Sequence, residues 1–332
     1  MPLKITNFTF MVLSYNHEKY IIEHLESIKF LILNHGQDII FQIIINDDCS
    51  TDKTVELIEK WFLINSKLFV EINKLYNIKN IGTCSSVLNM IDLIQFEYSK
   101  MTAGDDVYSY ENLFESSLLL NEHEIVSGIP LYLRDSSLSL NNFELFNFLA
   151  TNAIYKNKPL VERFKGLSFN NAPNMFYSSK VLKDTDVREF VSKFDVVEDF
   201  TLQVSVSQFF NNPSLYLDKK TFVYYRRTSG SIYLVVSSRF TKDINKVYSF
   251  LQSLKNSPFS KALISNRKYL FSMRSVVLRK ALNLSIYWFY IQSIFKLKSI
   301  YKDYKKLDIV KSKHQKHYEF IKNMAKFFLK ES

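Results

Sequence analysis

Two adjacent carboxylates behind a glycine, Gly104-Asp105-Asp106, are the residues of this chain best suited to chemistry. Hard carboxylate oxygens suit Mg2+ or Mn2+, and a glycine lets the backbone turn sharply or approach a phosphate closely. Burying an unpaired carboxylate costs several kcal/mol, roughly, so such a pair belongs on a loop, in water or against a cation. Asp105 and Asp106 are therefore candidate metal ligands. The competing account is capping, with Asp-Asp starting a helix over Tyr110-Glu111-Asn112-Leu113-Phe114.

Three further clusters have chemical potential. Asp47-Asp48 opens the segment Asp47-Asp48-Cys49-Ser50-Thr51-Asp52-Lys53-Thr54. Ser50 or Thr51 suits a helix cap and Asp52 a first turn, whereas Asp47 or Asp48 could accept hydrogen bonds from a base or ribose. Glu198-Asp199 could be a helix-start acid pair favoured by the dipole. Arg226 and Arg227 follow the β-prone run Thr221–Tyr225; guanidinium groups are natural partners of a diphosphate, and the alternative is a strand with solvated arginines. Asn80 and Gly82 suit a tight turn.

The elements that must position these groups alternate. Phe8–Ser14 is an almost wholly apolar, β-prone run, as expected of a strand buried on both faces of a parallel sheet. Glu18–Leu33 has a helical apolar period at Ile21, Ile22, Leu25, Ile28, Leu31 and Ile32. A second strand, Phe41–Ile45, leads to a helix marked by Val55, Ile58, Trp61 and Phe62; a third near Leu68–Ile72 leads to a helix over Val87–Phe96. Strand and helix in that rhythm predict a right-handed βαβ, mostly parallel sheet with helices on both faces. Ligands of such sheets bind beyond the carboxyl ends of the strands, where these clusters lie.

Composition sets the frame. The 332 residues, 47% hydrophobic and 15% aromatic, are those of a globular protein. Residues 239–332 hold 21 Lys+Arg against 5 Asp+Glu, a charge of +16, leaving −6 on residues 1–238. The basic C-terminal region thus points to an anionic partner, a membrane surface or nucleic acid. Cys49 and Cys84 have no metal-binding spacing and suit a reducing compartment. No signal-peptide pattern opens the chain. The most apolar stretch, Leu282–Phe295, is shorter than the roughly 20 residues that span a bilayer. The expectation is a cytoplasmic protein, peripheral at most to the inner face of the membrane.

The order of these pieces is recognisable. A strand ending in Tyr15-Asn16, then Asp47-Asp48-Cys49-Ser50-Thr51-Asp52, Asn80-Ile81-Gly82 and Gly104-Asp105-Asp106, resembles the nucleotide-sugar-binding half of family 2 glycosyltransferases, which have the GT-A fold. The resemblance is close over residues 8–115. It resumes at Phe194-Asp195-Val196-Val197-Glu198-Asp199, similar to the family's Glu-Asp motif, and at Tyr224-Tyr225-Arg226-Arg227-Thr228-Ser229-Gly230-Ser231, similar to the segment that closes over the diphosphate. Asn170–Tyr177 loosely resembles the stretch under the donor sugar.

The resemblance implies an inverting transferase acting on a nucleotide sugar, a UDP-sugar foremost. The acceptor would be a saccharide, lipid-linked, in bacterial surface glycan synthesis (capsule, O-antigen or lipooligosaccharide). It implies Asp199 as general base, with Glu198 orienting it or touching the acceptor. The donor would be lined by Ser14, Tyr15, Asn16, Asp47, Asp48, Asn80, Gly82, Gly104, Asp105, Asp106, Arg226 and Arg227, with Mn2+ or Mg2+ held at Asp105 and Asp106. Three departures stand out. Cys49 replaces a glycine, Ala103 stands where the family's metal motif has its first acid, and Thr228 stands where relatives often carry a histidine. A sparsely coordinated metal is the consequence.

By this reading residues 1–238 form the catalytic domain, 1–115 as its nucleotide-sugar half and 116–238 as its acceptor half, and 239–332 form a basic helical region. Its Tyr287, Trp288, Ile291, Ile294 and Phe295, set among Lys296, Lys298, Lys302, Lys305 and Lys306, would lie on an anionic membrane or pack within a helical subdomain or on a second subunit. Ile309–Leu329 could be an oligomerisation helix. Two rivals fare worse. A sugar nucleotidyltransferase needs a glycine-rich phosphate loop that Tyr15-Asn16-His17-Glu18 does not supply, and a non-catalytic membrane- or nucleic-acid-binding module has no use for these acids and no nucleic-acid-reading motif.

Overall fold

In the computed structural model, which describes residues 4–227, 238–273 and 275–331, the apolar runs become the middle of a parallel sheet. The strands are β1 (Asn7–Ser14), β2 (Ile40–Asp47), β3 (Glu71–Tyr76), β4 (Tyr98–Ala103), β5 (Val107–Tyr108), β6 (Ile125–Ser127), β7 (Leu131–Arg134), β8 (Ser137–Ser139), β9 (Met175–Ser178), β10 (Leu215–Leu217) and β11 (Val223–Arg226). The main sheet runs β10-β6-β9-β4-β1-β2-β3, and a smaller one runs β5-β11-β7-β8. β3, β2, β1 and β4 are mutually parallel; β9 is antiparallel to both β4 and β6.

Strand residues alternate between faces, and with both faces covered β1 and β2 are mostly apolar, the buried Thr9 and Gln42 satisfying one another by a hydrogen bond of 2.9 Å. Phe8, Phe10, Val12, Ile43 and Ile45 enter one core layer with Ile21, Leu25 and Ile28 of the helix Ile21–His35 and with Trp61 of the helix Thr54–Asn65. Met11 and Ile44 point the other way, into a layer with Val87 and Met90 of the helix Thr83–Asp92 and Leu202 and Val206 of the helix Glu198–Phe209. The register places Ser14 beside Asp47, and Leu13 beside both Asn46 and Ala103. The polar clusters therefore emerge at one carboxyl edge, as a doubly covered parallel sheet requires.

The C-terminal residues are helical and partly integrated with this body. Phe240, Ile244, Val247 and Leu251 of the helix Ser238–Ser253 share the core layer of Met11 and Ile44. The last helix, Lys311–Glu331, packs on the helix Ile21–His35 and buries Tyr318, Ile321, Ala325 and Phe328. Phe320, Phe327 and Leu329 of the same helix remain exposed. The helix read over Val87–Phe96 starts earlier, at Thr83, on Gly82. The third strand starts later, because Ser66–Leu68 close into a 3-10 turn before Val70 N–H donates to the Phe41 carbonyl. Among the described residues, no helix is long and apolar enough to cross a membrane.

Candidate active site

Asp47 and Asp48 end β2 side by side but serve different loops. Asp47 is buried and accepts from Ser14 Oγ (2.7 Å), Ser50 N (2.8 Å) and Ser50 Oγ (2.6 Å). Asp48, also buried, accepts from Ile81 N (2.8 Å), Gly82 N (3.0 Å) and Asn77 Nδ2 (3.1 Å). Asn80 Nδ2 donates to the Asp48 carbonyl at 3.3 Å. These bonds fix the turn leading into the helix Thr83–Asp92. Gly82 has φ 87°, where an added Cβ would collide with Asp195. Cys49, in the family's glycine position, has φ 71°. A non-glycine residue there carries strain of roughly 1–2 kcal/mol.

The capping account of Ser50 and Thr51 is corrected by this geometry. Ser50 Oγ instead accepts from Asn16 N at 2.8 Å, and Thr51 N donates to Asn16 Oδ1 at 2.8 Å. Asp52 caps by its own route, accepting from Thr54 N (3.0 Å) and from Glu18 N (3.1 Å). Asn16 thus holds the β1 and β2 loops together in a left-handed conformation, φ 55°, that asparagine tolerates. Tyr15 stands exposed beside it.

Gly104, Asp105 and Asp106 follow β4. Gly104 N donates to the Leu13 carbonyl at 2.7 Å, and a Cβ on Gly104 would press on Ile21 and His17. Asp105 is partly exposed, with His17 Nε2 3.9 Å from its Oδ1. Asp106 is 1% exposed, and its Oδ1 accepts from Arg226 N at 2.8 Å. Burial, then repulsion from Asp105, pushes its carboxyl well above the ordinary range. Asp106 thus ties the loop after β4 to β11. The helix over Leu113–Ser117 is capped by Asn112, not by the Asp pair.

The paired arginines also separate. Arg226 is 7% exposed; its Nε donates to the Asp105 carbonyl (2.5 Å) and its Nη2 to Glu23 Oε2 (2.5 Å), with the guanidinium 4.4 Å from the Tyr20 ring centre. These bonds hold the aspartate loop in place. Arg227 is more open, bonded to Glu144 (2.9 Å) and lying over Tyr132 (3.8 Å). Thr228–Ser231, also expected near the diphosphate, lie outside the described residues.

Glu198 and Asp199 begin the helix Glu198–Phe209. Asp199 Oδ1 accepts from Phe200 N at 2.6 Å, and Thr83 Oγ1 donates to Glu198 Oε2. Burial, reinforced by Asp199, raises the Glu198 carboxyl to about 8. The turn before them is fixed from the C-terminal side. Asp243, 1% exposed, accepts from Asp195 N (2.6 Å) and Val196 N (2.9 Å). Arg239 grips Asp195 with two bonds (2.5 and 2.6 Å) and reaches Asn80 Oδ1 at 3.0 Å. Burial raises the phenol of Tyr225 on β11, and the negative charges of Asp106, Asp199 and Asp105 push in the same direction.

A divalent ion fits this constellation in one form. Among the described residues, no group of three His, Cys, Asp or Glu is arranged to hold a metal. Asp105 presents a partly open carboxylate, so an ion there would be held by one protein oxygen group with water and phosphate completing the shell, an arrangement Mg2+ accepts. Sequence reasoning missed Thr83, His17, Glu23, Arg239 and Asp243. Asn174, within the Asn170–Tyr177 stretch, is fully buried and ties the turn Ala172–Asn174 to β11 by accepting from Phe222 N (2.7 Å) and Val223 N (2.9 Å). Thr83, directly after Gly82 in the Asn80-Ile81-Gly82 motif, and His17, directly after Tyr15-Asn16, lay beside recognised signals.

Residues 9–184 match the model of Glycosyl transferase family 2. The poly(ribitol-phosphate) beta-N-acetylglucosaminyltransferases TarS of Staphylococcus aureus strains Mu50 and MW2 are each 25% identical over 228 residues, 67% of this chain. The chain covers 36% of the length of these curated relatives. The crystal structure of S. aureus TarS 1–349 in complex with UDP-GlcNAc has a TM-score of 0.56 at 16% identity, covering 90% of this chain and 92% of that one. The same fragment with UDP gives 0.53 at 17% identity, covering 90% and 91%. These structural likenesses bear on the fold, which is GT-A.

Proposed function

The chain belongs to glycosyl transferase family 2, and from that premise we propose an inverting transfer of one sugar from a UDP-sugar to a saccharide acceptor of a bacterial surface glycan. UDP-GlcNAc is the donor to try first, since it is bound in the structural neighbour. The observation that supports the reading is the chain of contacts joining the two acid clusters: Asp48 accepts from Gly82 N, and Thr83, the next residue, donates to Glu198 beside Asp199. A donor site and a base for the acceptor must lie close together, because the acceptor oxygen attacks the carbon that the diphosphate leaves.

The division of labour follows from environment. Glu198 keeps its proton to about pH 8, and a protonated carboxyl is a poor base at neutral pH; it suits orienting the acceptor by donating a hydrogen bond. Asp199 is the proposed base, anchored by Phe200 N at the helix N-terminus, and takes the acceptor hydroxyl's proton as the new bond forms. Ser14, Tyr15, Asn16, Asp47, Asp48, Asn80, Gly82 and Gly104 shape the proposed nucleotide side, and Arg227 is the arginine nearer to being available for the diphosphate. Mn2+ or Mg2+ at Asp105 would neutralise the departing nucleoside diphosphate.

A lipid-linked acceptor would be met at an anionic membrane, towards which the helices Leu284–Phe295 and Leu297–Tyr304 offer exposed aromatic and aliphatic side chains beside lysines. The experiment is radiolabelled transfer from UDP-GlcNAc to poly(ribitol phosphate) and to lipid-linked saccharide in Mn2+, by the wild type and Asp199→Asn. Removing the base should lower turnover by about 10²–10⁴ while UDP still raises the melting temperature. Wild-type turnover in Asp199→Asn would overturn the base assignment.

A further inference from the structure

The helices Ser238–Ser253 and Pro258–Phe271 enclose a cleft of about 640 Å³ lined by Lys242, Lys246 and Lys268 with Asn245, Ser249 and Ser265. All of these side chains can donate hydrogen bonds, and the lining contains no carboxylate. A second cleft, of about 280 Å³, shares Lys242 and Lys246 and is walled by Asp195, Ser238, Arg239 and Asp243. Its two acids are already engaged. Asp195 is held by both arms of Arg239, which keeps its carboxyl below the usual range. Asp243 is turned inward to Asp195 N and Val196 N. The continuous surface is therefore positive.

Fold stability does not account for this surface. Lys242 and Lys246 are four residues apart on one helix, a like-charge spacing that is mildly destabilising. Lys246 Nζ donates to the Lys193 carbonyl at 2.7 Å, with Asp243 Oδ1 3.4 Å away, and Lys268 Nζ donates to Ser249 Oγ at 2.8 Å, with no carboxylate beside it. A row of ammonium groups interleaved with hydroxyls and an amide matches a ligand that alternates phosphate charge with hydroxyl groups. The inner end of the surface is Asp195, three residues before Glu198, and Arg239 there touches Asn80 of the proposed nucleotide side.

We propose that this groove binds the acceptor: an anionic glycan whose charge is carried by phosphodiester groups, led along Lys268, Lys246 and Lys242 towards Glu198 and Asp199. This deepens the transferase reading and rests on it. Binding should be strongly salt-dependent, because ion pairs with a polyanion release counterions.

The test uses the full chain, a poly(ribitol phosphate) oligomer as probe and neutral maltoheptaose as control. Wild type should bind the oligomer, weakening as salt rises, and should ignore maltoheptaose. The double variant Lys242→Gln, Lys268→Gln should raise the KM for the oligomer about tenfold with little change in kcat, while Lys242→Arg, Lys268→Arg should retain most of the affinity. The melting shift with UDP-GlcNAc should be the same in all three, since neither lysine belongs to the donor site. Oligomer binding equal in wild type and the Gln variant overturns the groove, as does a Gln variant that loses vesicle binding and keeps the oligomer. A wild type that binds the oligomer through these lysines but shows no response to any UDP-sugar overturns the transferase reading and leaves the groove standing.

Discussion

Asp105 and Asp106 are neighbours in the chain and opposites in environment. One is partly open beside His17; the other accepts the Arg226 amide in a buried pocket, where burial pushes its carboxyl above the usual range. Asp105→Asn should abolish the Mn2+-dependent part of the melting shift produced by UDP, whereas Asp106→Asn, a near-isosteric change at a buried side chain that keeps an oxygen for the Arg226 amide, should preserve it. Equal losses in the two would assign the metal to both. Ligand at a hundredfold over Kd stabilises by about 2.7 kcal/mol, ample for such a comparison. Glu198 carries a second test, with its sign fixed by linkage. Its carboxyl is raised from 4.5 to about 8 in the fold, so the unfolded chain loses that proton first and stability falls as pH rises from about 4.5 through 8. Glu198→Gln removes the penalty: its melting temperature should match or trail wild type at pH 5 and exceed it at pH 8.5. A constant difference across that range would show that Glu198 does not titrate there. None of this division was legible in the sequence, where Gly-Asp-Asp and Glu-Asp each read as a pair; burial, set by residues a hundred or more positions away, separates the members.

At the scale of elements, the sequence was most informative where one physical demand dominates. A strand covered on both faces must be apolar throughout, and a helix on one face must repeat near 3.6 residues, so β1, β2 and the helix Ile21–His35 emerge from pattern alone. β6, β7, β8 and β10 are three or four residues long and carry too little periodicity to register. The last helix illustrates a different limit: its apolar stripe was visible, but its partner was not. That partner is the chain itself, through a buried histidine cluster. His314 Nδ1 lies 3.0 Å from Tyr224 Oη and His317 Nε2 3.3 Å from the Tyr108 carbonyl, and burial lowers both rings to about 4. Lys313 also disfavours charge on His314, as does His35 on His317. With folded values depressed, their contribution to stability is present above pH 6.5 and is lost as pH falls towards 4, on the order of 1–3 kcal/mol per ring. His24, buried against the Asp106 carbonyl, adds in the same sense. Melting between pH 7 and 4.5 should therefore steepen in wild type and flatten in His314→Gln, His317→Gln. Parallel curves would place the acid sensitivity elsewhere.

Across the whole molecule, charge and exposed apolar surface are segregated in the same direction. The first 238 residues are net acidic and the remainder strongly basic, and the C-terminal helices leave Tyr287, Trp288, Ile291, Ile294, Phe295, Leu297 and Tyr301 each at least 39% exposed. Phe289 and Ile300 of the same helices are buried against the helix Asn142–Tyr155, so the segment is docked on one side and open on the other. Solvated lysines alone would need no such apolar neighbours, and a helix packed wholly within the chain would not leave Phe295 82% exposed. An apolar, aromatic-rich face flanked by Lys296, Lys298, Lys302, Lys305 and Lys306 complements an anionic bilayer, where each lysine near the surface contributes about 1 kcal/mol. The full chain should float with vesicles of phosphatidylglycerol and phosphatidylcholine, less so as salt rises and hardly at all with phosphatidylcholine alone. Ile294→Ser with Phe295→Ser should lose flotation while keeping the UDP-induced melting shift, because the face lies outside the donor site. If the variant floats as well as wild type, the face is not the anchor. If wild type does not float and instead sediments as a dimer that the same variant dissociates, the face joins two copies of the chain, and acceptor delivery must depend on the lysine groove alone.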